Sequence, residues 1–182
     1  MNNCPVIAIM FALTLSINGL SAADPPQPPK LPTVMPPEKF EALKQLAGKW
    51  EGTRHSPHGE MPATVEYQLT SAGTVLTEKL FPGQPDEMLS LYHGDRDDVL
   101  MTHYCALGNQ PRMKLAKTDD PKVLKFVYLD GTSMKSVEDP HMHQLTMTLV
   151  EQDQLQHEWV FFAGGTQQFV VRLDLERSRS SE

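Results

Sequence analysis

Two short pairs carry much of the chemistry open to this chain, His103-Tyr104-Cys105 and His141-Met142-His143. On a strand, residues i and i+2 share a face about 6.6 Å apart, so each pair can converge on one metal ion, and imidazole with thiolate suits zinc or another transition metal. His103, Cys105, His141 and His143 are therefore the candidate metal ligands. The same histidines can equally be buried groups hydrogen-bonded to neighbours such as Glu78, Tyr92 or Asn109; isolated His-x-His pairs are unspecific, and this reading is preferred. A third possibility makes Cys105 the nucleophile of a thiol-dependent enzyme, with His93 as its base. That requires a thiol of lowered pKa. The sequence holds no Gly-x-Ser-x-Gly, His-Glu-x-x-His or phosphate-cradling glycine loop, so catalysis ranks below binding.

A polar set surrounds these pairs. Gly108-Asn109-Gln110-Pro111-Arg112 can form a turn at a barrel mouth, where Asn109 and an anchoring Arg112 would recognise a carboxylate or other polar head group; alternatively the turn satisfies only itself. Methionines 88, 101, 113, 142 and 147 read as adaptable core filler. The candidate ligand-binding residues are Trp50, Glu78, His93, Met101, His103, Cys105, Asn109, Arg112, His143 and Trp159.

What must position them is a series of strands. Beyond Gly48 the hydrophobic pattern alternates in short runs broken by Gly, Pro, Asn and Asp. The predicted strands are Trp50–His55, Ala63–Thr70, Thr74–Phe81, Glu87–His93, Val99–Ala106, Arg112–Lys117, Val123–Asp130, His143–Gln152, Gln154–Phe162 and Thr166–Leu175. Alternation places Val99, Met101, His103 and Cys105 on one inward face. It does the same for His143, Leu145, Met147 and Leu149, for Leu155, His157, Trp159 and Phe161, and for Leu89, Leu91 and His93. Four strands would thus each bring a histidine inside. Short breaks between neighbours imply antiparallel hairpins, and ten strands in series remove their exposed edges by closing on themselves. The expected fold is all-β, a single antiparallel meander barrel of about ten strands. Ahead of it, Pro37 to Gly48 reads as a helix of about ten residues, with Phe40, Leu43, Leu46 and Ala47 on one stripe.

Gly48-Lys49-Trp50-Glu51-Gly52, directly after that helix, resembles the Gly-x-Trp opening of calycin barrels, including lipocalins and nitrobindin-like proteins, which use helix and tryptophan to close one barrel end. The segment His103–Met113 together with His141-Met142-His143 is similar to a group of uncharacterised bacterial lipocalin-like proteins of unknown function, which implies a fold and no activity. The nitrobindin-like resemblance implies haem held by a histidine inside the barrel. Here, however, Arg54 stands where a third glycine would extend the Gly-x-Trp-x-Gly-x-Gly pattern, and the last strand has no histidine. Haem would need His103, His143 or His157 as axial ligand, and ranks below an organic ligand.

Of 182 residues, 16 are Lys or Arg and 23 Asp or Glu, a formal charge of −7, so the basic footprint of a nucleic-acid binder is missing. The apolar run Val6–Leu15 is too short for the ~20 residues of a membrane span and reads as the core of a signal peptide, with small residues Ser21, Ala22 and Ala23 for cleavage. Residues 1–23 are then the leader and 24–37, with seven prolines, a stiff linker. Residues 38–176 form the barrel and 177–182 a disordered tail. The expected mature protein is periplasmic or extracellular, has no transmembrane segment, and binds a small apolar or amphipathic molecule inside. Its only cysteine is Cys105, since Cys4 leaves with the leader.

Overall fold

The structure, a computed structural model, describes residues 38–179; the expected leader and proline-rich linker lie outside the described residues, as do 180–182. The first element is a short helix, α1 (Glu38–Lys44), with Glu38 and Glu41 in its first turn and Lys44 in its last, the charge order that complements the helix dipole. It buries Phe40 and Leu43. The pattern then turns to period two, and ten strands follow: β1 (Gly48–Ser56), β2 (Gly59–Thr70), β3 (Val75–Leu80), β4 (Met88–Asp95), β5 (Asp98–Tyr104), β6 (Gln110–Leu115), β7 (Val123–Thr132), β8 (His141–Glu151), β9 (Gln154–Ala163) and β10 (Thr166–Arg177). Each pairs antiparallel with its sequence neighbours, and β1 pairs with β10 to close the barrel. All ten expected strands are present, with ends shifted by a few residues. None of the described helices is long and apolar enough to cross a membrane.

Closure depends on Gly52. A Cβ at this position would overlap the carbonyl of Asp174 on β10, so only glycine lets β1 and β10 approach. The core is the inward face of each strand, for example Ala63, Val65 and Tyr67 of β2 and Val99, Met101 and His103 of β5.

In an up-and-down barrel, alternate turns fall at opposite ends. The end bearing α1 is plugged by Phe40, Leu43, Leu46 and Trp50, all fully buried. Trp50 Nε1–H donates to the Leu46 carbonyl at 2.8 Å. The Arg177 guanidinium lies 4.2 Å from the Trp50 ring and donates to the carbonyls of Ala47 (2.8 Å) and Gln45 (2.9 Å) and to Asp153 (3.0 Å). Arg177, expected in a disordered tail, is instead the last residue of β10 and the latch of this end. The turns β1–β2, β3–β4, β5–β6, β7–β8 and β9–β10 make up the other end.

Candidate functional site: a cavity at the loop end

The strand halves running to the loop end line a cavity of about 240 Å³ that is partly open to solvent. Its walls are mainly apolar: Leu80 of β3, Met88 of β4, Met142 of β8, and Phe169, Val171 and Leu173 of β10. Residues of the β1–β2 turn, Ser56, Pro57 and His58, also line it. Arg54 sits beside Asp86, its Nη1 donating to Asp86 at 2.7 Å, with its guanidinium 4.4 Å from the Phe81 ring, so its charge is already matched. Two polar side chains complete the lining. His103 and Trp159 are 1% and 3% exposed, their ring centroids 4.6 Å apart, and His103 Nε2 and Trp159 Nε1 have no hydrogen-bond partner among the described residues.

His103 is held from behind by a polar row running across four strands. The ladder sets Tyr67 opposite Glu78, Glu78 opposite Ser90, and Ser90 opposite His103. Tyr67 and Tyr92 each donate to the Glu78 carboxyl at 2.7 Å, and Ser90 Oγ lies 3.0 Å from His103 Nδ1. His157 Nε2 is 3.0 Å from the Tyr67 oxygen; since Tyr67 gives its proton to Glu78, this nitrogen is the donor. His157 Nδ1 faces Glu78 at 3.6 Å. Burial pushes the Glu78 carboxyl up, against the hydrogen bonds it receives. It pushes both His103 and His157 down to about 3, so both imidazoles are neutral.

Of the ten expected ligand-binding residues, His103 and Trp159 line the cavity. Trp50 is instead part of the opposite plug, Met101 is core, and Glu78 lies behind His103 in the polar row. His93 is on the outer face of β4, its Nδ1 3.1 Å from the Gly94 carbonyl; Ser90 and Tyr92 point inward, and Leu89 and Leu91 are only half-buried. Asn109 Nδ2 donates to the Pro140 carbonyl at 2.8 Å, tying two loops together, and Arg112 pairs with Asp130 on the exterior. Arg54, Asp86, Phe81 and Phe169 line the cavity without having been singled out. Only Arg54 carried a mark in the sequence, as the departure from the glycine pattern.

The expected metal cluster does not assemble: among the described residues no three His, Cys, Asp or Glu side chains meet as a metal would require. The register of β8 against β9 slips between Met142 and Gln144, a bulge at His143, and it is Met142 that lines the cavity. His141 donates from Nδ1 to the Asp139 carbonyl at 2.7 Å, so its Nε2 accepts from His143 Nδ1–H at 2.9 Å. The His143 ring is stacked by Phe162 and Tyr128, with centroids at 3.9 and 5.0 Å. Cys105 falls in the β5–β6 turn, half-buried, its thiol pushed up by burial rather than activated, and His93, opposite Leu100, is not placed as its base. Haem fits poorly: His103 could offer Nε2, but the chamber is below the ~300–1,000 Å³ usual for drug-sized ligands, and the guanidinium in its lining, Arg54, is already paired with Asp86.

The fold is similar to that in the crystal structure of Rv2717c from M. tuberculosis, at 17% identity over 80% of this chain and 100% of that one, with a TM-score of 0.58. It is also similar to a protein with unknown function from the DUF3598 family of Nostoc punctiforme, at 16% identity and a TM-score of 0.52, over 75% of this chain and 48% of that one. This chain thus spans about half of the Nostoc protein. At these identities the likeness is one of fold. No protein-family model matches the sequence, and no curated protein does.

Proposed function

We propose that this is an exported, calycin-like barrel that binds a small, mainly apolar molecule in its loop-end cavity. The observation that carries the reading is the contrast between apolar walls and two buried ring nitrogens without partners among the described residues, His103 Nε2 and Trp159 Nε1. Buried polar groups are nearly always hydrogen-bonded, and an unpartnered pair lining a cavity marks where a bound molecule supplies the missing bonds. The small chamber favours a compact ligand. The calycin-like reading draws on Gly48-Lys49-Trp50-Glu51-Gly52 and the tryptophan plug, and export on the leader-like residues 1–23.

Titration of the folded protein with 1-aminoanthracene, a compact apolar fluorophore, tests the binding site. Saturable one-to-one binding is expected, and it is lost in Leu173→Trp, which fills the chamber. Absence of saturable binding, or binding unaffected by Leu173→Trp in a folded variant, would overturn the reading. Export is checked separately by N-terminal sequencing of the protein recovered outside the cytoplasm, where the mature chain is expected to begin at Asp24 or its neighbour.

A further inference from the structure

We infer that the ligand is a compact molecule with one uncharged acceptor oxygen, of carbonyl, ether or hydroxyl type, which takes the hydrogen bond of Trp159 Nε1–H. This rests on the interior-binding reading above and adds to it the group by which the ligand is recognised.

Of the two ring nitrogens without partners in the cavity lining, only one has a fixed role. An imidazole nitrogen donates or accepts according to where the proton sits, and the Ser90 hydroxyl, 3.0 Å from His103 Nδ1, serves either arrangement. An indole has one N–H and no acceptor, so Trp159 can only donate. Its side chain lines the cavity at 3% exposure, and no described residue offers Nε1 an oxygen. The wall residues Leu80, Met88, Met142, Val171 and Leu173 have no side-chain oxygen to give. Trp50 shows the same group satisfied, its Nε1–H on the Leu46 carbonyl at 2.8 Å. What the chain supplies to Trp50, the ligand supplies to Trp159: an acceptor. Whichever tautomer His103 takes, that requirement stands.

Size and charge narrow the class. A dry apolar cavity of about 150 Å³ admits benzene, so about 240 Å³ accommodates one six-membered ring with a short substituent. A carboxylate also brings an oxygen, but the guanidinium in the lining, Arg54, is held by Asp86 at 2.7 Å, and burial keeps His103 neutral. Burying an unmatched charge beside the indole costs far more than one hydrogen bond returns. An ammonium offers no acceptor, and a hydrocarbon leaves the indole proton unpaired.

Ethylbenzene, acetophenone and benzoate share nearly one outline and present, beside the ring, a hydrocarbon, an uncharged acceptor and a charged one. Each is titrated at neutral pH into the folded protein and into Trp159→Phe, whose ring cannot donate. The preference for acetophenone over ethylbenzene is expected to be about tenfold greater in the wild type than in the variant; the cycle cancels the transfer of each probe from water and keeps the hydrogen bond. Benzoate should bind weakest. In infrared difference spectra of the wild type, the carbonyl stretch of bound acetophenone should lie below its frequency in hexane, and in Trp159→Phe it should return to that frequency.

A preference that Trp159→Phe leaves unchanged, or a carbonyl stretch at its hexane value in the wild type, would overturn the acceptor inference and leave interior binding standing, a retained water then serving the indole. Tightest binding by benzoate would overturn the uncharged class. If neither ethylbenzene nor acetophenone binds, the interior-binding reading falls as well.

Discussion

The two tryptophans of this chain, one toward each end of the barrel, are both buried and both carry one N–H, yet they do opposite things. Trp50 has its proton on the Leu46 carbonyl, its ring under Arg177, and Phe40, Leu43 and Leu46 around it in the plug. Trp159 packs beside His103 with its N–H unpartnered among the described residues. The comparison separates a finished end from an unfinished one. Where the buried indole has its partner within the chain, burial serves stability; where two ring nitrogens are left over beside a cavity, burial has been arranged for something else.

The strongest way to break this contrast is at the finished end. Trp50→Ala removes a large fully buried side chain and leaves the Leu46 carbonyl without its donor, so a loss of about 3–5 kcal/mol is expected in denaturant unfolding. If the variant unfolds no more easily than the wild type, the tryptophan plug is not what closes the barrel.

Acid should act through the polar row. His103 and His157 are held neutral down to about 3 in the fold, against 6.5 in the unfolded chain. Below pH 6.5 the unfolded chain takes up protons that the folded chain refuses, so stability is fully present above that pH and falls as pH drops toward 3. Between pH 7 and 4.5 the loss comes to about 3 kcal/mol per histidine at 1.36 kcal/mol per pKa unit. Glu78 runs the other way: its raised pKa costs stability as pH climbs above 4.5 toward the folded value, which partly flattens the profile. Unfolding curves across this range should show the acid loss shrink in His103→Phe and stay in Arg177→Ala. A profile that His103→Phe leaves unchanged would show that the imidazole is not buried neutral.

Arg177→Ala is a smaller disturbance of the plug. It removes a cation stacked on Trp50 and two hydrogen bonds to carbonyls at the end of α1, while the exposed pair with Asp153 adds little; about 1–2 kcal/mol is expected. Arg177→Lys should recover only part of this, since an ammonium cannot stack flat on the ring and reach both carbonyls. Full recovery by lysine would mean that charge alone, and not the fork, holds the latch.

The difference between the ends also explains what could be read from the sequence. The ten strands and their closure were legible because regular alternation and short breaks are local signals. His103 and Trp159 were legible for the same reason, each in phase with apolar neighbours on an unbroken strand. His93 was not: Leu89 and Leu91 suggested the wrong face of β4, because the true inner face carries Ser90 and Tyr92, whose burial makes sense only beside Glu78 on β3. His141 and His143 were displaced by a bulge that the sequence does not announce. Asn109 and Arg112 looked free because their partners, the Pro140 carbonyl and Asp130, are brought to them by other strands and loops. Arg54 and Asp86 meet only through the ladder and loop that set them side by side. Misses of this kind share one cause: the decisive partner is distant in the chain.

The finest test makes one substitution at both ends. Trp50→Phe deletes a satisfied N–H and orphans the Leu46 carbonyl, which should cost about 1–3 kcal/mol. Trp159→Phe also loses ring area, but it deletes a donor that has no partner among the described residues, so the two contributions oppose and the net change should stay within about 1 kcal/mol. Its effect should appear in ligand affinity instead. Denaturant unfolding of the two variants without added ligand measures the difference directly. Equal destabilisation would mean that Trp159 is as fully satisfied as Trp50, and the loop end would then be a second plug.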